Sequence, residues 1–100
     1  MAVYAIALID IHDRAGYAAY EQGFMAIFNQ YRGRLLAVDE APEIKEGDWP
    51  WTRTVLLEFP DHAELDRWYN SDAYQALARH RFTSSQGAVA VIRSLTAPGT

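Results

Sequence analysis

Glu46-Gly47-Asp48-Trp49-Pro50-Trp51-Thr52-Arg53-Thr54-Val55-Leu56-Leu57-Glu58-Phe59 is a polar, aromatic turn that runs straight into the most strand-like segment of the chain. Glycine at 47 permits a positive φ and proline at 50 fixes its own, so residues 47–50 read as a turn. Residues 52–59 predict a strand, rich in β-branched and aliphatic side chains. Its two-residue period sends Thr52, Thr54, Leu56 and Glu58 to one side and Val55, Leu57 and Phe59 to the other.

Downstream, Pro60-Asp61-His62-Ala63-Glu64 is a helix start, with Asp61 as N-cap and Glu64 placed to reach back to it as in a capping box. Leu65, Trp68 and Tyr69 form the apolar face of this short helix, and Asn70 ends it. Ser71 caps a second segment that turns Tyr74, Leu77, Ala78 and Phe82 inward. Residues 86–95 predict a last strand, and Pro98-Gly99-Thr100 a frayed tail beyond a single domain over residues 1–97.

Upstream, residues 3–11 form a strand apolar on both faces, with Val3, Ala5, Ala7, Ile9 and Ile11 opposite Tyr4, Ile6, Leu8 and Asp10. Asp13 caps a helix running to about Tyr31, whose stripe Tyr17, Tyr20, Phe24, Ile27, Phe28 and Tyr31 recurs at three- and four-residue steps. Gly23 within it is explained by a close approach of the helix to the sheet. Gly33 stops the helix, Arg34 to Asp39 is a short strand, and residues 43–46 are read as a resumed edge strand after Pro42.

The order strand, helix, strand, strand, helix, strand is the α+β, ferredoxin-like βαββαβ arrangement, a four-stranded antiparallel sheet with its helices on one face. Its other face, lined by several of Leu8, Leu36, Leu56 and Ile92, is then an apolar patch of a size monomers rarely expose. A second copy is the expected cover, giving a homodimer with facing sheets, a dimeric α/β barrel.

Composition narrows the function. The 100 residues carry 9 basic and 13 acidic side chains, a net charge of −4, with the basic residues scattered, so nucleic acid is not an expected partner. Cysteine is absent, which excludes thiol nucleophiles, thiolate metal sites and disulfides and makes the cytoplasm the default location. The apolar start meets Asp10 too soon for a membrane span and lacks a basic flank. His12, His62 and His80 have no paired ligand spacing, so no metal is expected. Neither a nucleophile elbow nor a phosphate or dinucleotide loop occurs, and Ser84 and Ser85 read as a helix-to-strand loop.

The chain resembles the DUF1330 family of the dimeric α/β-barrel superfamily. The resemblance rests on Glu46-Gly47-Asp48-Trp49 above all, with Tyr4, Asp13, Tyr20, Gly33-Arg34, Val55 to Pro60, Trp68-Tyr69-Asn70-Ser71, Tyr74-Gln75 and Arg81. It implies the dimeric ferredoxin-like fold and no established activity. Relatives by fold include cofactor-free monooxygenases, muconolactone-type isomerases and haem-dependent enzymes, and the usual haem-binding histidine pattern is not recognisable here. No cofactor is expected.

Glu58 is the sharpest catalytic candidate, as a carboxylate beside apolar groups suited to acid or base work, against the plainer role of an ion pair with Arg53, Arg81 or Arg93. Arg81 is the second, its planar fork matching a carboxylate of Glu58 or of a small acidic ligand. Glu46, Trp49, Arg53, Trp68, Tyr69 and Tyr74 are candidate ligand-binding residues. For the three aromatics on the helices the plainer role is core, and for Glu46 and Trp49 it is ordering of the turn. Two functions follow: binding of a small organic molecule with proton transfer or cofactor-free oxygenation, or a non-catalytic binding or structural module with a filled interior. The size of the interior void separates them.

Overall fold

In the computed structural model, which describes residues 1–95, the first apolar run forms β1 (Val3–Ile11), the centre of the sheet. Asp13 caps α1 (Arg14–Phe28) by accepting from the Gly16 amide at 3.1 Å. The chain returns through β2 (Arg34–Asp39), crosses residues 40–52 and enters β3 (Arg53–Phe59). Then come α2 (His62–Tyr69), α3 (Asp72–Ser84) and β4 (Ser85–Arg93). All strand pairs are antiparallel in the order β2-β3-β1-β4, the ferredoxin-like topology the element order predicts. The tail at 98–100 lies outside the described residues.

Alternation decides what the helices cover. Val3, Ala5, Ile9 and Ile11 are buried, as are Leu57 and Phe59 across from them, and onto this face pack Tyr17, Tyr20 and Phe28 of α1, Leu65 and Trp68 of α2, and Tyr74 and Ala78 of α3. Aromatic rings dominate the layer: Phe59 stacks on Trp68 at 5.4 Å and Phe28 meets both edge-on. The opposite face carries Tyr4, Ile6 and Leu8 of β1, Leu56 of β3 and Ile92 of β4, and among the described residues no second layer covers it. The molecule is a slab of 46 × 37 × 16 Å, the thickness of one sheet and one layer of helices.

Several local expectations change. Residues 43–46 are irregular and make no edge strand, because Pro42 and the turn at Gly47 (φ 81°) leave too little chain to pair. The α1 helix stops at Phe28 and residues 29–32 form turns. Gly33 has no positive φ; its role is steric, since a Cβ there would sit 2.6 Å from Phe28 Cζ and 2.7 Å from Phe59 Cε1. Gly23 lets α1 approach α3 and not the sheet, an added Cβ meeting Leu77 Cδ1 at 2.6 Å. Leu36, expected with the bare face, is the extra residue of a bulge between Leu35 and Ala37.

Glu64 does not close a capping box. Asp61 accepts the Glu64 amide at 2.8 Å, but the Glu64 carboxylate turns to the Arg32 amide at 2.9 Å and to Arg67 Nη1 at 2.6 Å. It is 4% exposed, and the Arg32 amide, aided by Arg67, holds its pKa below the usual carboxylate value. One buried acid thus fastens the turn before β2 to α2. Phe82, expected inward, is 52% exposed at the end of α3, whose buried side is Tyr74, Ala78 and Ser84.

The α3–β4 junction has no loop. Ser84 ends the helix and Ser85 begins the strand, their hydroxyls donating to the His80 carbonyl at 2.5 Å and the Arg81 carbonyl at 2.6 Å. The Ser84 carbonyl in turn accepts from the amides of His12 and Asp13 at 3.0 and 3.1 Å. Two residues on, Gly87 pairs with Ile9 so closely that a Cβ would lie 1.9 Å from the Leu8 carbonyl oxygen.

Candidate functional site

Small residues at the centre of the covered face open a cavity. Where β1 presents Ala5 and Ala7 to the helices, no branched side chain fills the space below the aromatic layer, and a cavity of about 180 Å³ remains. Ile9, Arg53, Val55 and Leu57 complete its floor, and Leu35 and Val38 of β2 and Val89 of β4 form its sides. The roof is Tyr17, Tyr20 and Phe24 of α1 with Trp68, Tyr69, Tyr74 and Arg81 of α2 and α3. A single hydroxyl places the last group: Ser71 Oγ donates to the Trp68 carbonyl at 2.8 Å and accepts the Tyr74 amide at 3.1 Å, so α2 and α3 meet at a fixed angle. Trp68 and Tyr74 then pack with ring centroids 4.3 Å apart.

The polar groups of this cavity are few. Tyr20 and Tyr74 share a hydrogen bond of 2.7 Å between their buried hydroxyls. Burial, then the Tyr74 oxygen beside it, pushes the Tyr20 pKa far above the ordinary phenol value, so the Tyr20 hydroxyl keeps its proton at physiological pH. Two phenols have two hydrogens; one lies in their mutual bond and the other remains free to donate elsewhere. Arg81 packs its guanidinium 5.7 Å from the Tyr20 ring centre and 4.8 Å from that of Phe82. Among the described residues no carboxylate lies within ion-pair distance of it. Burial opposes its charge, while the Tyr74 and Tyr20 oxygens favour it more strongly, and the net effect is a raised pKa.

Arg53 differs from Arg81 in being neutralised. Its Nη1 lies 3.4 Å from Glu21 and 3.2 Å from Glu40, and Glu40 also receives Arg14 at 2.9 Å. The hydrogen bond from Arg14, followed by that from Arg53, lowers the Glu40 pKa. Two buried donors on residues of the cavity wall, Arg53 Nε and Trp68 Nε1, have no partner among the described residues. A second, more open cavity of about 410 Å³ adjoins the first and shares Ile9, Tyr69, Arg81 and Val89 with it, with Ser85 and Gln86 at its polar end.

Of the residues singled out in the sequence, the cavity brings together Arg53, Trp68, Tyr69, Tyr74 and Arg81. It does not include Glu58. That carboxylate is on the bare side of the sheet, opposite Tyr4, and accepts from Arg34 Nε at 2.8 Å, so Glu58 and Arg81 do not converge. Glu46 and Trp49 are exposed in the 40–52 crossing and line no part of it. His12, His62 and His80 are exposed and apart, and among the described residues no group of three metal-ligating side chains occurs. Tyr20, Ala5 and Ala7 belong to the site without having been singled out for it. The signal for the alanines is present in the sequence: small residues at alternate positions on the buried face of a central strand mark a void.

Fold and site together define a class, a ferredoxin-like sheet-and-helix layer pair enclosing an aromatic cavity with a cationic end. The chain belongs to the family described as Domain of unknown function (DUF1330), whose model matches residues 2–95. No curated protein matches the sequence. Among solved structures, the RPA0582 protein of unknown function from Rhodopseudomonas palustris is similar at a TM-score of 0.78 and 15% identity, over 96% of this chain and 84% of that one. SnoaB, a cofactor-independent oxygenase from Streptomyces nogalater, is similar at 0.68 and 13%, over 99% and 98%. A dimeric ferredoxin-like protein of unknown function from Jannaschia sp. CCS1 is similar at 0.64 and 18%, over 92% and 96%. At such identities the likeness is one of fold. No described helix is long and apolar enough to cross a membrane.

Proposed function

We propose that the protein is a homodimer that binds a small organic molecule between its sheet and its helices, and that it catalyses proton transfer or cofactor-free oxygenation there. The observation that carries the reading is the cavity itself, apolar and aromatic on most sides with the Tyr20–Tyr74 hydroxyls and Arg81 in its wall. That combination is how small-molecule sites are built, and an unfilled interior favours binding over a solid structural module. Transfer of a proton from the carbon next to a carbonyl to Glu21, the carboxylate of the cavity lining, leaves an enolate, and a wall of hydrogen-bond donors with one cation stabilises the oxygen on which that charge develops. The enolate is then reprotonated by Glu21 at another atom, or, with the substrate itself as reductant, forms a carbon–oxygen bond to dioxygen; the resulting peroxide takes up the proton and loses water, leaving a new carbonyl on that carbon. Arg81 holds the developing charge in this scheme. Glu58, across the sheet, takes no part in it.

The homodimer is supported by the uncovered face of Tyr4, Ile6, Leu8, Leu56 and Ile92 on a slab only 16 Å thick, and by the dimeric description of the Jannaschia protein. Glu58 and Arg34 then sit at its rim.

The test uses neutral one-ring probes. Phenol and benzyl alcohol should raise the melting temperature of the wild-type chain and shift the Trp68 indole N–H resonance, and neither should act on A7L, which fills the floor. Equal binding by A7L, or no binding by the wild type, refutes the cavity as the site. For catalysis, α-proton exchange of cyclohexanone in deuterium oxide and dioxygen uptake with hydroquinone should both be measured. Catalysis predicts that at least one is accelerated by the wild type and less so by R81Q; acceleration of neither removes the catalytic half.

A further inference from the structure

Resting on the reading of the cavity as a binding site, we infer that its ligand is a single-ring aromatic carboxylate, with the ring in the apolar cavity and the carboxylate on Arg81. Size sets the ring count. An apolar cavity of roughly 150 Å³ accepts benzene, so about 180 Å³ holds one six-membered ring and little more. The walls suit a flat ring: Tyr17, Tyr20, Phe24, Trp68 and Tyr74 present faces and edges above a floor of alanines that lets a plane lie close to the sheet.

The functional group follows from a count of donors and acceptors. Arg81 supplies N–H donors and no acceptor, and the Tyr20–Tyr74 pair has one hydrogen uncommitted. The acid of the lining, Glu21, is engaged by Arg53. What the site lacks is an acceptor with negative charge, and a carboxylate is acceptor-only and matches the guanidinium fork. Arg81 differs from the other arginines without a carboxylate among the described residues, Arg32, Arg79 and Arg93, in that those three are exposed. Arg14, Arg34, Arg53 and Arg67 each have a carboxylate, whereas the half-buried Arg81 has two aromatic rings and no counter-ion among the described residues. A bound anion completes the pair that the chain does not supply.

Arg81 lies where the two cavities join, so a carboxylate meeting it keeps one side toward the open, polar compartment beside Ser85 and Gln86. The charge is paired without full loss of hydration, and full loss is the condition under which buried ion pairs become costly. The ring, with no polar group to satisfy, goes to the dry side.

Calorimetric titration of the full chain at pH 7 and constant ionic strength, with benzoate, benzamide and acetate, tests this. Benzoate should bind at least about tenfold more tightly than its neutral isostere benzamide, a difference of about 1.4 kcal/mol. Acetate, which lacks the ring, should not bind at the same concentrations. R81Q should bring benzoate down to the affinity of benzamide while leaving benzamide unchanged, and R81K, which retains charge without the planar fork, should fall between. Equal affinity for benzoate and benzamide in the wild type, or an undiminished preference in R81Q, overturns the carboxylate while the cavity stands. Should R81Q fail to fold, the wild-type ratio alone decides, and a ratio near one overturns the inference. If no ring compound binds, this inference and the binding reading fall together.

Discussion

Removing one hydroxyl from the Tyr20–Tyr74 pair should cost more than half of what removing both costs. The two oxygens are 2.7 Å apart, on residues 8% and 2% exposed, so neither has ready access to bulk water. A neutral hydrogen bond contributes about 1 kcal/mol net, and a buried hydroxyl left without its partner is penalised by about 1–3 kcal/mol. Tyr20→Phe and Tyr74→Phe should each therefore lose about 1–2 kcal/mol, which for a domain of this size lowers the melting temperature by about 4–8 °C per kcal/mol. The double variant leaves no orphan and should lose less than the sum, with a coupling of about 1 kcal/mol. Urea unfolding at one fixed protein concentration, followed by tryptophan fluorescence and far-ultraviolet circular dichroism, gives all four corners of the cycle. Additive losses, or a Tyr20→Phe chain as stable as the wild type, would refute the bond. An alkaline titration adds a second check. The folded pKa of Tyr20 is raised, so its contribution is complete below the unfolded value of about 10 and is lost as pH rises toward the folded one. The deficit of Tyr20→Phe relative to wild type should shrink above pH of about 10.

Three further substitutions probe other joints. Gly33→Ala puts a methyl against the rings of Phe28 and Phe59, which already meet edge-on at 5.6 Å, and should destabilise by about 1–3 kcal/mol in the same urea assay; a neutral outcome would mean the rings are loose. For Glu64→Gln the linkage runs the other way from tyrosine: a lowered carboxylate pKa stabilises above the unfolded value of about 4.3 and the contribution is lost as pH falls through the folded value. The gap in melting temperature between Glu64→Gln and wild type should thus be full at neutral pH and close in acid; a gap independent of pH would count against the charge. Ile92→Asp sets a carboxylate in the bare face, and light scattering should move from the mass of two chains to that of one; a wild type that is monomeric at micromolar concentration removes the homodimer.

Much of the fold was legible because each element is stated twice in the sequence, by period and by boundary. The stripe from Tyr17 to Phe28 has helical spacing and starts at a capping aspartate, and β1 is a nine-residue run of strand-forming side chains that contains no breaker. What was illegible depended on neighbours distant in the chain. Glycine at 33 looks like a helix stop until Phe59 is placed beside it, and Glu64 looks like half of a capping box until the Arg32 amide arrives. The position of Glu58 is a different case. Its strand's period already grouped it with Leu56, which the sequence assigned to the bare face, so period alone pointed away from the helices. The attraction of a carboxylate near apolar groups outweighed that pattern. Tyr20 carried the usual pattern of a core aromatic, and only the fold reveals the hydroxyl that faces it from α3.

The absence of any loop between α3 and β4 limits how this chain can change in length. Inserting one residue at Ser84 or Ser85 would shift β4 by one position and exchange its faces. Val89 would leave the cavity, and Gly87 would move from beside the Leu8 carbonyl, where no Cβ fits. The 40–52 crossing bears no such constraint, being exposed, irregular and unpaired except at its ends. Insertions and deletions among homologous chains should collect in the part of that crossing ahead of the Glu46–Trp49 motif and spare the junction, so a tag or a fluorescent reporter belongs between Pro42 and Lys45, and Arg81 keeps its place because the eight residues after it cannot lengthen.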